Sequence, residues 1–166
     1  MKQEVASFLD YVAHSPTVFQ ATQQACDMLD AAGFTCLSEH EAWEILPGGR
    51  YYVTRNRSAL VAFAVPENGF THCQIVASHG DSPTFKLKAH AEGEAAGAYI
   101  RLDVEPYGGM IMSTWFDRPL SIAGRALVRE DGRLVTRLID LDRDAALIPN
   151  MPIHFNRDIN SGYSYN

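Results

Sequence analysis

The spacing of apolar residues changes once along this chain, close to Gly33, and this change limits the folds that the chain can adopt. Before Gly33 the apolar residues recur at three- and four-residue intervals, as on one helix face; the first set is Val5, Phe8, Leu9 and Val12. Residues 15–17 then stop that helix and start a second one, and Gly33 supplies the left-handed residue after its end. The sequence therefore predicts two opening helices followed by strands, an α/β chain.

The segment after Gly33 carries the pattern of strands. Residues 51–54 and 59–65 are apolar runs on either side of a polar turn, which predicts a β-hairpin. A further apolar run, from Cys73 to Ser78, is short and bounded on both sides, which is typical of a strand buried on both faces of a mixed sheet. This prediction places His79 at the carboxyl end of a buried strand.

Beyond Lys88 the sequence consists of short alternating segments with glycine turns between them. The segments are residues 98–104, 120–128 and 134–141, and the turns are residues 107–109 and 131–132. This pattern of short alternating segments and turns predicts a β-rich half and a domain boundary near residue 89. Residues 1–88 would begin an α/β domain, and residues 89–166 would begin a β-rich one.

Charge and hydropathy exclude several classes of partner. The net charge is -6, and acidic and basic residues are mixed along the whole length, so no basic face is available to bind nucleic acid. No apolar run approaches the roughly 20 residues that span a bilayer. The first residues also lack the apolar core of a signal peptide. We therefore expect a cytoplasmic protein that binds neither nucleic acid nor membrane.

The cysteines are few and irregularly spaced. Cys26, Cys36 and Cys73 are an odd number without Cys-x-x-Cys spacing, which argues against both a disulfide framework and a closed zinc finger. We expect reduced thiols that are mostly buried.

One short motif, His79-Gly80-Asp81, follows the predicted buried strand. Residues at the carboxyl ends of strands in α/β sheets often bind ligands. A carboxylate two residues beyond a histidine can accept the second ring N–H, which orients the imidazole and raises its basicity toward a metal such as zinc. The triplet alone also fits a loop histidine that is hydrogen-bonded to its neighbour, so both interpretations stay open at this point.

Three longer motifs carry a resemblance to a known family. They are residues 76–83 (VASHGDSP), residues 107–109 with 114–125 (YGG and TWFDRPLSIAGR), and residues 148–157 (IPNMPIHFNR). Weaker agreement comes from residues 15–19 and 48–52. In this order and spacing, the chain resembles the aspartyl aminopeptidase family of zinc metallopeptidases along essentially its whole length.

The resemblance implies a fold and a set of site residues. The fold would be the N-terminal part of a mixed-sheet α/β zinc-peptidase domain, followed by part of a β-rich dimerisation, or lid, domain. His79 matches a zinc ligand, and Asp81 matches the catalytic acidic residue that orients it. His154 matches either a metal-site histidine or one that reaches from a neighbouring subunit to the substrate's carbonyl oxygen.

Arg118 carries two interpretations. It could form an ion pair with Asp117 that shapes the fold or a subunit contact. Alternatively, its guanidinium could bind the acidic side chain of a substrate, because the two N–H groups fork onto a carboxylate.

The chain departs from the family pattern in two positions and in length. Gly80 stands where many members have threonine, and Pro119 stands where many have an acidic residue. Family members also continue further, and that later half holds an aspartate that bridges two metals, a glutamate that acts as general base, further carboxylate ligands and a last histidine. Residues 158–166 show no terminal helix or capping strand, which indicates an interrupted sequence.

The resemblance therefore implies a hydrolase with a specific reaction. The chain would be the N-terminal portion of an aminopeptidase that uses two zinc ions and metal-activated water to remove N-terminal residues, preferentially Asp or Glu, from peptides. We expect a homo-oligomer assembled through the β-rich domain, and no activity from the 166 residues alone. The alternative is a non-catalytic truncated product that acts as an assembly or binding module through its β-rich half.

Overall fold

The computed structural model describes residues 2–162. The chain folds into two compact units. The first unit comprises the residues up to Asp81 together with Ala123–Asp140, and the second comprises Ser82–Ile122 and the residues from Leu141 onward. Residues 163–166, part of the predicted interruption, lie outside the described residues.

The first unit opens with the two predicted helices. Helix α1 spans Gln3–Ala13, and helix α2 spans Val18–Ala31. The Thr17 hydroxyl accepts a hydrogen bond from the Phe19 backbone N–H at 3.2 Å, so it caps the start of α2. Gly33 has a φ of 79°, the left-handed conformation expected just after a helix. The helical prediction is confirmed at both helices.

A three-stranded sheet follows in the order β1-β2-β3. Its strands are β1 Thr35–Leu37, β2 Arg50–Arg55 and β3 Ala59–Ala64. Strand β1 runs parallel to β2, and β2 and β3 form the predicted antiparallel hairpin. The buried apolar residues of the described chain lie on α2 and β2: Ala21, Cys26, Tyr51 and Tyr52. The core of the first unit therefore sits where α2 covers the sheet.

The predicted strand at Cys73–Ser78 is wrong. In the structure this segment has no regular secondary structure, and Ile75 and Val76 are 80% and 92% exposed. Apolar and β-branched residues indicate a preference for a buried pleated surface, but a strand also needs a neighbour to accept and donate its backbone hydrogen bonds. The composition of the segment indicates the preference for a buried surface, but it does not show whether a neighbouring strand is available. His79 therefore follows an irregular segment rather than a strand end.

The thiols are free, as predicted, but they are not mostly buried. Cys26 is buried on α2, whereas Cys36 and Cys73 are exposed. Cys73 is exposed because it belongs to the irregular segment without strand pairing, and Cys36 lies on the short strand at the edge of the sheet.

The second unit begins with a long antiparallel ribbon. Strand β4 spans Thr84–Ala95 and pairs with β5, Tyr99–Tyr107, with a register shift between Leu87 and Glu92. The predicted domain boundary near residue 89 falls within β4. The division into residues 1–88 and 89–166 stays a prediction about the complete domains.

A single 3-10 turn, Met112–Trp115, leads to strand β6, Pro119–Leu120. The chain then returns to the first unit as a hairpin of β7, Ala123–Glu130, and β8, Arg133–Asp140. Asp131 and Gly132 have φ values of 48° and 79°, the two positive values of a type I′ turn, for which an Asp-Gly pair is typical. Strand β9, Ala146–Leu147, closes the second unit by pairing antiparallel with β6.

A buried glutamine joins the β7–β8 hairpin to α2. The Gln20 side-chain amide donates to the backbone carbonyl of Ile139 at 2.9 Å and to that of Gly124 at 3.4 Å. Arg125 of the same hairpin lies 4.2 Å above the Phe19 ring and donates to the Asn56 carbonyl at 2.8 Å. These contacts explain why the hairpin belongs to the first unit although it follows part of the second in sequence.

Within residues 2–162, neither helix has the length and apolar character that crossing a bilayer would require.

Candidate metal-ligand site

The His79 ring is held by the residue two positions later. Its Nδ1 lies 2.8 Å from the backbone oxygen of Asp81 and 3.3 Å from the carboxylate Oδ1 of the same residue. A carbonyl oxygen can only accept, so Nδ1 must carry the proton in this contact. The neutral imidazole then has its lone pair on Nε2, the nitrogen that a metal would take.

The same side chain is accessible. The His79 side chain is 82% exposed, and Asp81 is about half as exposed at 40%. The arrangement thus presents an oriented nitrogen at a surface. It differs in one detail from the sequence expectation, since the backbone carbonyl of Asp81 makes a shorter contact with the ring than the carboxylate does.

Gly80 is not required by this geometry. A side chain added at Gly80 would meet nothing within 4 Å, and its backbone does not need the left-handed region. The departure from the threonine of many family members is therefore sterically neutral here.

His154 lies in a turn of the second unit. The turn is closed by backbone N–H groups of Phe155 and Asn156, which donate to the Pro152 carbonyl at 2.9 and 3.2 Å. His154 is exposed at this turn. The two histidines of the prediction thus belong to different units, and both roles considered for His154 stay predictions.

Within residues 2–162, no group of three or more His, Cys, Asp or Glu side chains is close enough to hold a metal ion. His79 and Asp81 are an oriented pair that could contribute to such a site. His14 makes the same kind of contacts to Asp10, at 2.9 Å to the carbonyl and 3.4 Å to the carboxylate, so the sequence motif and not the contact alone distinguishes His79.

The interpretation of Asp117 and Arg118 as an ion pair is wrong. The Asp117 carboxylate accepts the Asn150 backbone N–H at 2.9 Å, and the Asp117 N–H donates to the Ile148 carbonyl at 2.9 Å. Arg118 turns to the Thr114 carbonyl, to which it donates at 3.1 Å. Each side chain therefore has a backbone partner. The substrate role of Arg118, whose side chain is exposed, stays a prediction.

These contacts join the second and third sequence motifs, which lie more than 20 residues apart in the chain. Strands β6 and β9 pair, Phe116 forms a parallel bridge with Ile148, and Asp117 holds Asn150. The first motif meets the second at its end, because Gly108 lies against Pro83. The sequence offers one local signal for this junction, Asp117. Its φ is 53°, and Asp is among the few residues other than glycine that adopt a positive φ.

We expect Asp117→Ala to lower the free energy of unfolding by about 1–3 kcal/mol, because it removes a hydrogen bond and leaves alanine in the left-handed region. Asp117→Asn should cost less, since an amide oxygen can accept the same N–H. Asp131→Ala is the matched control, because Asp131 is also left-handed but lies in an exposed hairpin turn. Urea unfolding of the three variants checks this, and equal losses for the two alanine variants would contradict the role of the Asn150 contact.

Known proteins are similar to this chain along nearly its whole length. A family model described as aminopeptidase I zinc metalloprotease (M18) matches residues 11–166. The probable M18 family aminopeptidase 2 of Clostridium acetobutylicum is 42% identical over 176 residues, covering 100% of this chain and 40% of the relative. That of Stutzerimonas stutzeri is 44% identical over 163 residues, covering 95% of this chain and 37% of the relative. The chain thus spans about 40% of the length of these relatives.

Solved structures agree. The chain is similar to one in a cryo-EM structure of the Ape4 and Nbr1 complex, with a TM-score of 0.91 and 42% identity over 97% of this chain and 31% of that one. Chaetomium thermophilum mApe1 has a TM-score of 0.84 and 33% identity, over 90% of this chain and 35% of that one. The mApe1 dodecamer of S. cerevisiae has a TM-score of 0.80 and 30% identity, over 90% and 36%. The α/β fold class is therefore confirmed.

Proposed function

This chain belongs to the M18 family of aminopeptidase I zinc metalloproteases, and on that premise we propose that it supplies His79 and Asp81 to a zinc site that removes acidic N-terminal residues from peptides. The observation that carries the proposal is the bond from His79 Nδ1 to Asp81, which leaves Nε2 free to bind a metal. Two zinc ions and a preference for Asp or Glu are part of the same proposal.

The contacts of the His79 ring fit those of a zinc ligand. Zinc binds neutral imidazole, and ligating histidines commonly donate their second N–H to a carboxylate or a backbone carbonyl. His79 has both kinds of acceptor on the same neighbouring residue. This arrangement orients the ring before any metal arrives, with Nε2 facing away from Asp81.

The residues of this chain then have distinct tasks. His79 presents Nε2, and Asp81 holds the ring and increases its basicity. His154 either adds a ligand or donates to the substrate's carbonyl oxygen from a neighbouring subunit, and Arg118 would bind the carboxylate of an acidic first residue. Zinc, when bound, supplies Lewis-acid polarisation of the scissile carbonyl and lowers the pKa of a water molecule.

The proposed site needs more ligands than the pair described. Catalytic zinc sites generally use three protein ligands and a water molecule. We propose that the further ligands and the general base come from residues outside these 166, in the part of the curated relatives that this chain does not match. On this proposal the 166 residues alone have no peptidase activity.

A chimera tests the function directly. This chain would replace the matching 40% of the Clostridium acetobutylicum relative, and the chimera and the chain alone would be assayed with zinc on Asp-, Glu-, Leu- and Lys-linked chromogenic substrates. We expect turnover by the chimera, with Asp and Glu preferred, and none by the chain alone. Turnover by the chain alone would contradict the shared site, and a preference for Leu or Lys would contradict the acidic specificity.

We also propose a homo-oligomer that assembles through the β-rich half, in a cytoplasmic location. The oligomer is supported by the similar mApe1 chain, which is described as a dodecamer. Within the second unit, Tyr99 and Ile100 of β5 are largely exposed apolar residues, as subunit contacts require.

The same exposed strand favours a second candidate function, a non-catalytic assembly module. Light scattering on the chain alone tests the assembly that both candidates share, and the chimera assay above separates the catalytic function from the module. Self-association that Ile100→Glu abolishes would support contacts through β5, whereas a strict monomer without partner affinity would count against the module.

A further inference from the structure

A small cavity in the first unit brings two of the three thiols together. The cavity has a volume of about 210 Å³ and lies between α2 and the sheet. Its lining includes Cys26 and Asp30 from α2 and Cys36, Tyr52 and Thr54 from the strands. A water molecule takes roughly 30 Å³, so this space admits several waters or a small oxidant and lets the thiols turn.

The sheet register places Cys36 beside Tyr52. In the parallel β1–β2 pair, Cys36 is the direct partner of Tyr52. Neighbouring strands lie about 4.8 Å apart, so the two side chains are adjacent on one face of the sheet. The helix approaches the same tyrosine, because the Tyr52 hydroxyl donates to the Asp30 carboxylate at 2.8 Å.

The helical spacing then places Cys26 at the same point. Cys26 and Asp30 are four residues apart on α2, so they share a helix face. Tyr52 is therefore a common neighbour of a thiol from the helix and a thiol from the sheet. The electrostatics agree with this proximity: burial raises the pKa of the Cys26 thiol, and the neighbouring Cys36 raises that pKa further.

The two thiols differ in access. Cys36 is exposed and can meet a solute, whereas Cys26 is buried. An accessible thiol beside a second, sheltered thiol is the arrangement in which a first oxidation product can be resolved into a disulfide.

We propose that Cys26 and Cys36 are a redox-modification site that forms a reversible disulfide on exposure to peroxide. The Cys36 thiolate attacks one oxygen of hydrogen peroxide, so an S–O bond forms, the O–O bond breaks, and the released hydroxide takes a proton to give water. The Cys26 sulfur then attacks the Cys36 sulfur of this sulfenic acid. The S–S bond forms, the S–O bond breaks, and the second hydroxide leaves as water with the Cys26 proton. Two thiols lose two electrons, and the peroxide is reduced to two waters.

Peroxide treatment of the folded chain followed by alkylation and mass spectrometry tests the site. Lys2 and Arg50 flank both cysteines without a tryptic site between them, so one tryptic peptide should lose the mass of two hydrogen atoms and resist alkylation. Cleavage before Asp27 and Asp30 should yield two peptides that stay linked until dithiothreitol is added. Cys73 should stay open to alkylation.

Cys73→Ser is the matched control, because Cys73 is an exposed thiol of the same unit that does not line the cavity. This variant should form the disulfide as the parent does, whereas Cys36→Ser and Cys26→Ser should not. Cys36 is exposed, so its substitution should leave the fold intact, which circular dichroism checks. The proposal is overturned by three alkylated thiols after peroxide, by sulfinic acid at Cys36 with Cys26 free, or by cross-links that mainly involve Cys73.

Discussion

His79→Ala in the chimera with the Clostridium acetobutylicum relative is expected to lower kcat by at least roughly 1,000-fold. A catalytic metal stabilises the transition state by several kcal/mol, and each 1.4 kcal/mol corresponds to about a tenfold rate change. The loss should appear in the bound zinc as well as in the rate, because alanine removes the proposed ligand. Zinc content by elemental analysis and the initial rate on an Asp-linked substrate are the two measurements.

Two further variants test whether His79 binds the zinc directly. Asp81→Asn keeps the backbone carbonyl contact to His79 but weakens the carboxylate one, and it should reduce zinc affinity by roughly 10- to 100-fold. His72→Ala is the matched control, since His72 is an exposed histidine of the same unit outside the three motifs. If His79→Ala kept its zinc and its rate, or if His72→Ala lost as much, His79 would not be a ligand.

Tyr52→Ala is expected to lower the free energy of unfolding by about 3–5 kcal/mol, the range for truncating a buried aromatic side chain. Tyr52 is only 4% exposed, and its hydroxyl bonds to Asp30, so the change removes both the core contact and the link to α2. Tyr99→Ala is the control, because Tyr99 is a strand tyrosine that is 74% exposed. Urea unfolding compares them, and a loss under about 1 kcal/mol for Tyr52→Ala would show that this residue is not central to the core.

Tyr52→Phe should give a smaller loss, about 0.5–1.5 kcal/mol, because it removes one hydrogen bond and keeps the ring. It also carries a pH signature. Burial and the bond to Asp30 raise the pKa of Tyr52, so the folded state favours the neutral phenol. The corresponding stability is fully present below roughly pH 10, the ordinary pKa of tyrosine, and declines above it. The stability difference between the parent and Tyr52→Phe should therefore shrink in alkali.

Local signals made part of the fold predictable. The helices carry a cap at Thr17 and an end at Gly33, and the β7–β8 hairpin carries its Asp-Gly turn, so short windows contain what each element needs. The strand predicted at Cys73–Ser78 failed because pairing depends on residues far away in sequence. The short strand β1 escaped prediction for a related reason, since three residues are too few to show a period.

For the candidate site, the sequence predicted one contact and missed others. The His-x-Asp spacing led to the contact between His79 and Asp81, because two residues of chain bring the groups within reach. The partners of Asp117 and Arg118 could not be read from spacing, since both adjacent charges found backbone groups instead of each other. The pair Cys26 and Cys36 was also invisible, because only the register of β1 on β2 and the bond from Tyr52 to α2 bring them together.

The hydrogen bond from Gln20 to Ile139 joins residues 119 positions apart. During synthesis, α2 therefore leaves the ribosome long before the hairpin that covers this side of it. At about 5–20 residues per second, the interval is roughly 6 to 24 s. Throughout that time the Gln20 amide must be satisfied by water or by another protein. The first unit is thus completed late, and nascent-chain pulse proteolysis should find α2 fully protected only after Asp140 has emerged.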